Sequence, residues 1–401
     1  MSKAREDYLQ NYWARYPEMP RGALRFGRVE QMRLGVQILT DFKFKETELW
    51  KAGEVLIDGD LVALLPSQQL ILLAPNLAGR PCRDAKWAEQ KKWFEFLSAI
   101  AAFFREKKFQ EVKTPTLVTC PGTEPTLEVF ETVFEYGREK HSFFLPTSPE
   151  LNLKKLLAEG AERIFEIAAV FRNGERTERH EPEFTMLEWY RAFSYLSAIK
   201  MDMIEMIEHL CELFKVERPL EVLTFTMPEL FKKYLQFDFK PDTTMDELKS
   251  LAQKHQIDVQ SATTIDDVFY LIFMEKIENK WPLDRLVFVE KYPPYQAALA
   301  RVGIDGWAER FEVYWKGYEL ANAFHELNNP QIQRQRAFED LQKKMSSGLK
   351  KIVLDEAFFK ALDYGMPPSA GIAVGLERVF MAMMGIKNIR QVKKVFESHM
   401  V

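Results

Sequence analysis

Two apolar segments joined by a charged loop, within residues 161–193, constrain the fold of this chain most strongly. "AERIFEIAAVFR" and "FTMLEWYRAF" each have the length and apolar content of a buried strand, and Asn173-Gly174 opens the polar loop between them. Strands that are neighbours in sequence can pair antiparallel. Because helical segments lie before and after this hairpin, the sequence predicts an α+β domain, with an antiparallel sheet and helices packed on one side.

Further helices and strands are predicted on both sides of this hairpin. In "DAKWAEQKKWFEFLSAIAAFFREKK" one helical face carries Trp93, Leu97, Ile100 and Phe104, and a second helix begins near Ser148. After the hairpin the chain is predicted to be mostly helical over residues 196–290. The later strands are predicted at "DRLVFVEKY", "ERFEVYWKGYEL" and "SAGIAVG", and a closing helix at "LERVFMAMMG".

The N-terminal part is predicted to be a separate unit. In "EVLIDGDLVALLP" the pair Asp58-Gly59 stands between apolar runs, which indicates a hairpin, and the further strand "QQLILLA" follows. We therefore predict two domains, a small β-rich module over residues 1–82 and a larger domain over residues 83–401.

Composition excludes several classes of protein. Of 401 residues 47% are hydrophobic and 28% charged, and the formal net charge of −4 gives no indication of a nucleic-acid coat. Three cysteines without CxxC spacing favour a reducing compartment and argue against a disulfide framework. The N-terminus is unlike a secretion signal, and the longest apolar runs are too short to span a bilayer. We expect a cytoplasmic protein without a membrane partner.

One acidic residue interrupts the second strand of the hairpin. Glu188 and Tyr190 share one face of "FTMLEWY", and apolar side chains surround Glu188 on both faces. A carboxylate in that position is costly unless a partner is present. Two explanations remain open, a salt bridge to another strand or a pocket acid that awaits a cationic ligand.

The loop "VFRNGERTERHEPEF" is rich in cations. Arg172 ends an apolar strand, and further arginines and His180 follow it. Such a run is often a solvated loop. A polyphosphate ligand would need several cations and an aromatic ring for its base, and Arg172, His180 and Phe184 would supply both.

Two acids bracket the Lys-Gly turn of "ERFEVYWKGYELANAFHELNN". Glu312 and Glu319 are either ordinary surface acids of an exposed hairpin or hard oxygen ligands for Mg²⁺ on a nucleotide. Asn322, Phe324 and Glu326 share strand parity. Glu319, Asn322 and Glu326 also fit one helical face, so the spacing alone leaves the geometry open.

Together, and in this order, these segments resemble the catalytic domain of class II aminoacyl-tRNA synthetases of the lysyl type, from residue 83 to the end. "FFREKKFQEVKTPTL" resembles motif 1, "FRNGERTERHEPEFTMLEWY" resembles motif 2 and "SAGIAVGLERV" resembles motif 3. "TSPELNLKKLL" and "ELANAFHELNN" narrow the resemblance to the lysyl branch. It implies the class II antiparallel sheet flanked by helices, ATP and Mg²⁺ as cofactors, and a homodimer.

The resemblance also implies a role for each motif. Arg172 and Arg378 are the implied catalytic residues, since both would bind phosphate and Arg172 would also hold the substrate carboxylate. The glycines of motif 3 would let the nucleotide approach the backbone. The implied ATP-binding residues are Arg172, Asn173, Gly174, His180, Glu181, Phe184, Glu319, Leu320, Gly375 and Arg378. The implied residues for a lysine-type substrate are Ser148, Pro149, Glu150, Glu188, Tyr190, Asn322, Phe324, Glu326 and Ala373. The implied Mg²⁺ ligands are Glu312 and Glu319.

Two features decide between branches of this family. Lysyl-tRNA synthetases carry an anticodon-reading domain much longer than residues 1–82, so at most a reduced OB-fold (oligonucleotide-binding fold) could be present. The chain instead resembles the paralogue family that lacks this domain and attaches (R)-β-lysine to a lysine of elongation factor P. Ala373 stands where synthetases usually have Gly, and one extra methyl biases the choice between lysine isomers by about 1–3 kcal/mol.

The implied partners are therefore elongation factor P and lysine or β-lysine, with tRNA not expected. Two alternatives remain, a tRNA-charging lysyl synthetase with a reduced N-terminal domain and a non-catalytic amino-acid sensor. The presence of both phosphate arginines and both acids disfavours the sensor. One residue departs from the family: motif 2 usually has Glu where this chain has Gly174, so a contact to adenine is lost, moved or replaced by backbone.

Overall fold

A computed structural model describes most of the chain. The described residues are 3–15, 25–31, 37–41, 47–50, 56–57, 60–67, 70–77, 87–278, 280–350 and 352–392. Contacts divide the chain into two compact units, and the boundary along the chain lies between Trp87 and Ala88. The boundary predicted between residues 82 and 83 lies outside the described residues and stays a prediction.

The N-terminal unit is β-rich, as the sequence predicted. Its strands form one antiparallel sheet in the order β3-β2-β1-β4-β5. Placing the fourth strand beside the first is Greek-key connectivity, which is also that of the five-stranded OB-fold. The hairpin predicted at residues 58–59 is wrong, because β4, the strand that follows, pairs with β1 and β5 and not with the segment just before the turn. Residues 58–59 themselves lie outside the described residues. The elements are α1 (Lys3–Arg15), β1 (Arg25–Gln31), β2 (Gln37–Asp41), β3 (Thr47–Trp50), β4 (Leu61–Leu64) and β5 (Leu70–Ala74).

A buried ion pair joins the first helix of this unit to the residue before β4. Arg5 donates two hydrogen bonds of 2.7 Å to the carboxylate of Asp60, and both side chains are buried. Asp60 also accepts from the backbone N–H groups of Ile57 and Asn76. The carboxylate is therefore well supplied with donors, as a buried charge requires.

The larger unit contains an eight-stranded sheet, in the order β11-β12-β13-β14-β15-β10-β9-β6. Neighbouring strands are antiparallel except for the pairs β11–β12 and β6–β9. This is the predicted α+β class. The strands are β6 (Gln110–Glu111), β9 (Arg163–Phe171), β10 (Glu183–Ala192), β11 (Val222–Thr226), β12 (Leu286–Tyr292), β13 (Ala308–Trp315), β14 (Tyr318–His325) and β15 (Ser369–Gly375), and a separate hairpin is formed by β7 (Glu131–Tyr136) and β8 (Glu139–Phe144).

Helices pack against both faces of this sheet, so the prediction that they lie on one side is wrong. Side chains of α2, α4 and α10 share one large apolar cluster with the strands, and helices α5, α6 and α7 pack in a second cluster near β12. The helices are α2 (Trp87–Glu106), α3 (Glu150–Ala158), α4 (Leu196–Phe214), α5 (Met227–Leu235), α6 (Met245–Lys254), α7 (Ile265–Lys276), α8 (Pro330–Ser346), α9 (Glu356–Gly365) and α10 (Leu376–Met384). Among the described residues, no helix combines the length and the apolar character needed to cross a bilayer.

The predicted apolar face of α2 is the face that packs on the sheet. Trp93, Ile100 and Phe104 are buried, and Leu97 packs against the same cluster. Phe104 lies 4.8 Å from Trp189 of β10, measured between ring centroids. Since strand β10 also carries Glu188 on its opposite face, this packing fixes the position of the acid.

We expect Phe104→Ala to lower the free energy of unfolding by about 4 kcal/mol, because the change leaves a cavity between helix and sheet. Phe94→Ala is the matched control on the same helix. Phe94 is 44% exposed, so its loss should stay within about 1 kcal/mol. Urea unfolding of both variants measures the difference. Equal losses would contradict the packing described for α2.

Candidate active site

The face of the sheet opposite α2, α4 and α10 carries a row of residues that pair directly across four strands. Glu188 of β10 lies opposite Ala373 of β15, and Ala373 lies opposite Asn322 of β14. Asn322 in turn lies opposite Glu312 of β13. Because directly opposed residues point to the same side of a sheet, these four side chains share one surface. Four residues implied by the resemblance are thus neighbours.

A second row lies two residues further along each strand, and therefore on the same face. It contains Tyr190, Gly371, Phe324 and Arg310, each opposite the next. The alternation that placed Tyr190 beside Glu188 and Phe324 beside Asn322 is confirmed. The helical alternative for this segment is wrong, because residues 318–325 form a strand.

Glu188 is buried, and hydroxyl groups hold it. Its carboxylate accepts hydrogen bonds from Ser148 at 2.6 Å and from Tyr190 at 2.9 Å. Burial, and then the nearby charge of Glu150, raises the pKa of Glu188 to about 8. Within the described part of the chain it has no ion-pair partner, which contradicts the salt-bridge explanation.

A buried lysine lies between the two other acids of the pocket. The ammonium of Lys154 is 2.6 Å from Oε1 of Glu150 and 2.5 Å from Oε2 of Glu326. The side chains of Lys154 and Glu326 are 0% and 1% exposed. Burial lowers the pKa of Lys154, but Glu150 and Glu326 outweigh this effect, so that the pKa is raised and the ammonium stays charged.

Glu326 keeps one carboxylate oxygen without a partner. Its Oε1 atom is buried and has no hydrogen bond among the described residues. Burial raises the pKa of Glu326 to about 8, although Lys154 opposes the shift. A Cβ atom at Gly371 would lie 2.6 Å from this oxygen and 2.3 Å from the ring of Tyr190. This glycine therefore makes room for the acid pocket itself.

The cations of motifs 2 and 3 lie close together. Arg378 donates to the backbone oxygen of Glu319 at 3.0 Å, and its guanidinium is 2.6 Å from Nε2 of His180. Burial and the charge of Arg378 lower the pKa of His180, so a neutral ring accepts this hydrogen bond. The guanidinium of Arg172 lies over the ring of Phe184, 5.1 Å from its centroid.

The acid of motif 3 has a structural partner. Glu377, just before Arg378, accepts the backbone N–H of Thr185 with both carboxylate oxygens, at 2.8 and 2.9 Å. It therefore ties the start of α10 to β10. Arg378 stands on the first turn of this helix, where the helix dipole also favours an anion.

The two predicted metal ligands lie on the same face of the hairpin. A register shift between Val313 and Tyr314 brings Glu319 opposite Tyr314. Burial, and then the charge of Glu312, raises the pKa of Glu319 to about 7. Glu312 already accepts from Tyr292 and Tyr314 at 2.5 Å and from Arg310.

The same register shift changes the position of one predicted ATP-binding residue. Leu320 is 2% exposed, and its side chain packs in the apolar cluster that the sheet forms with α2, α4 and α10. Only its backbone is therefore available to a ligand on the site face. No described group of three or more His, Cys, Asp or Glu residues could hold a metal alone. The two carboxylates fit a Mg²⁺ ion that takes its other ligands from phosphate and water.

The remaining predicted residues frame the site. Pro149 is the N-cap of α3, and the backbone N–H of Asn173 donates to the backbone oxygen of Glu128. Glu181 pairs with Arg390 at 2.7 Å. Gly174 has φ +81. A glutamate in place of Gly174 would therefore be strained on this backbone.

Sequence reasoning missed a further acid. Burial raises the pKa of Glu124, with Glu150 adding to the shift and Arg172 opposing it. Its segment is anchored by Lys344, whose ammonium donates to the backbone oxygens of Glu124, at 2.9 Å, and of Leu127. Because Glu124 lies outside any regular element, no periodicity in the sequence could have indicated it.

Comparisons with known proteins show the family of this chain. The sequence model for tRNA synthetases class II (D, K and N) matches residues 89–396. The elongation factor P–(R)-β-lysine ligase of Haemophilus influenzae is 35% identical over 317 residues, which cover 78% of this chain and 95% of the relative. The ligases of that name from Vibrio parahaemolyticus and Edwardsiella ictaluri are 36% and 34% identical, covering 74% and 77% of this chain and 91% and 95% of theirs.

We expect Gly371→Ala to lower the free energy of unfolding by about 3 kcal/mol, because the new Cβ overlaps the ring of Tyr190 and the carboxylate of Glu326. Gly375→Ala is the control in the same motif. Its Cβ would lie 3.8 Å from Arg378, which is ordinary contact distance. Gly375 is the N-cap of α10, and Ala is a poorer N-cap than Gly, so Gly375→Ala should lower the free energy of unfolding by only about 1 kcal/mol. Thermal unfolding compares the two, and equal losses would contradict the role assigned to Gly371.

Proposed function

Because the chain belongs to the class II tRNA synthetases and, within them, to the elongation factor P–(R)-β-lysine ligase family, we propose that it activates a lysine-type amino acid with ATP and transfers it to a lysine side chain of elongation factor P. The observation that carries the proposal is a pocket with three carboxylates and one internal ammonium, in which Glu188, Glu326 and Lys154 are buried and Glu150 is partly buried. Such a pocket suits a substrate with two amino groups.

Activation would be an in-line displacement at the α-phosphorus of ATP. A carboxylate oxygen of the amino acid forms the new bond to phosphorus, the bond to the bridging oxygen breaks, and pyrophosphate leaves. Arg172 and Arg378 would stabilise the negative charge on the transferring group, and His180 orients Arg378. Bound Mg²⁺, held by Glu312 and Glu319, would neutralise phosphate charge. Positioning and charge neutralisation suffice, so no protein nucleophile is needed.

The pocket would then hold the amino acid by its charges. Arg172 binds the substrate carboxylate, while the acids receive the two ammonium groups. Asn322, whose buried Oδ1 atom has no partner among the described residues, and Phe324 would line the carbon chain. Ala373 lies between Glu188 and Asn322, so its methyl group faces the same pocket and would favour one positional isomer.

Transfer would release AMP. The amine of the acceptor lysine attacks the acyl carbon of the adenylate, the bond to the phosphate oxygen breaks, and an amide forms. We expect the acceptor to be elongation factor P. Action as a homodimer and a cytoplasmic location also stay predictions.

One observation favours a second candidate, the charging of tRNA. The N-terminal unit has the Greek-key connectivity of an OB-fold, the fold that binds oligonucleotides in many proteins. We rank this candidate lower, because the relatives described above carry the name of a ligase for elongation factor P.

Incubation with ATP, Mg²⁺ and (R)-β-lysine should add the mass of one lysyl group to elongation factor P, and tRNA should gain little or none. Mass spectrometry of the factor and acid precipitation of labelled tRNA measure both products. Arg378→Ala should abolish the mass gain because the phosphate cation is lost. Arg334→Ala, which breaks an exposed pair with Glu356, should retain it. Efficient tRNA lysylation without modification of the factor would favour the second candidate.

A further inference from the structure

Lys154 is a fully buried cation inside the acid pocket, and the reaction steps above give it no role. It stands one helical turn after Glu150 on α3, and its ammonium contacts Glu150 and Glu326 at 2.6 and 2.5 Å. A surface pair at this spacing contributes little, but the side chain of Lys154 is 0% exposed. Its desolvation must be offset by these two carboxylates.

Lys154 contacts only one carboxylate oxygen of each of the two acids. Lys154 meets Oε1 of Glu150 and Oε2 of Glu326, which leaves Oε1 of Glu326 buried and without a hydrogen bond among the described residues. This free oxygen lies beside Gly371, where a Cβ would come within 2.6 Å of it. Lys154 therefore holds Glu326 by its Oε2 atom, and the Oε1 atom is available to accept a hydrogen bond from a ligand.

The contact also sets the charge of the pocket. The three carboxylates of Glu150, Glu188 and Glu326 face a single internal ammonium, so these four groups carry an excess of two negative charges when all are ionised. Glu124, the further acid near Glu150, has Arg172 and Lys344 as neighbouring cations and is not part of this count. A diamino acid brings two ammonium groups, while its carboxylate meets Arg172. The excess equals the number of amino groups, whereas a monoamino acid would leave one buried carboxylate without a cation.

We propose that Lys154 is a positioning residue that prepares the pocket for a diamino acid. It holds the carboxylates of Glu150 and Glu326 apart, stabilises the negative charge of Glu326, and turns the free oxygen of Glu326 towards the substrate ammonium. It also limits the charge excess of the fully ionised pocket to two. This inference rests on the proposed function, since it assumes that the pocket binds a lysine-type substrate.

Lys155, the next residue, is a natural control. It is also a lysine on α3, and its ammonium lies 2.5 Å from the carboxylate of Asp355, at the start of α9. That pair joins two helices outside the acid pocket. Loss of Lys155 therefore removes a partly buried ion pair from the same helix without changing the charge around the substrate.

The test compares amino-acid-dependent pyrophosphate exchange of wild type, Lys154→Met and Lys155→Met between about pH 6 and 10. At pH 7, Lys154→Met should lower kcat/KM for the lysine-type substrate about 100-fold and leave the KM for ATP unchanged. Lys155→Met should leave both unchanged. Without the ammonium the pocket carboxyls become harder to ionise, so the rise of kcat/KM with pH should move to higher pH in Lys154→Met.

A second variant should shift the pH dependence of kcat/KM in the opposite direction, and it provides a test even if Lys154→Met does not fold. Glu150→Gln removes a negative neighbour of both Glu188 and Glu326, so the rise of kcat/KM should move to lower pH, whatever its effect on the plateau. Substrate ionisation is the same for every variant and cancels in the comparison.

The outcomes separate the two proposals. A wild-type protein without exchange for any lysine isomer overturns the proposed function and this inference with it. Wild-type exchange, together with a pH dependence that moves in neither Lys154→Met nor Glu150→Gln, overturns this inference alone. A loss in Lys154→Met that is uniform across pH and extends to the KM for ATP indicates a structural role, and also overturns it.

Discussion

The buried ammonium of Lys154 between Glu150 and Glu326 is the interaction on which the candidate site depends. Three carboxylates in one water-poor pocket would repel one another and take up protons. One internal cation and the hydroxyl groups of Ser148 and Tyr190 keep them in place. The pocket is nevertheless left short of positive charge, as a site for a dication should be.

The pairing of the sheet strands determines where the site residues lie. Glu188, Ala373, Asn322 and Glu312 form one row across four antiparallel strands, so an acid for the amino acid and an acid for the metal lie on one surface. The opposite face packs against helices in the largest apolar cluster, which holds the strands rigid. A rigid row suits a reaction in which positioning supplies most of the catalysis.

Strand alternation allowed much of this face to be predicted from sequence, because a period of two places Glu188 with Tyr190 and Asn322 with Phe324. Lys154 was missed, because an acid and a lysine four residues apart usually form an exposed pair, and only the tertiary fold buries this one. The inward turn of Leu320 depends on a register shift that no local pattern encodes. The glycines of motif 3 suggested room for a nucleotide, whereas Gly371 makes room for Tyr190 and Glu326.

The central claim is that the acid pocket lacks positive charge and is neutralised by two substrate ammonium groups. Its most direct test is the number of protons released when β-lysine binds without ATP. Burial raises the pKa values of Glu188 and Glu326 to about 8, so the free pocket holds protons at pH 7, and two incoming ammonium groups must expel them. Calorimetry at pH 7 in two buffers of different ionisation enthalpy should show release of about one proton or more, and a smaller release as the pH rises above about 8. Binding without proton release at pH 7 would contradict the account.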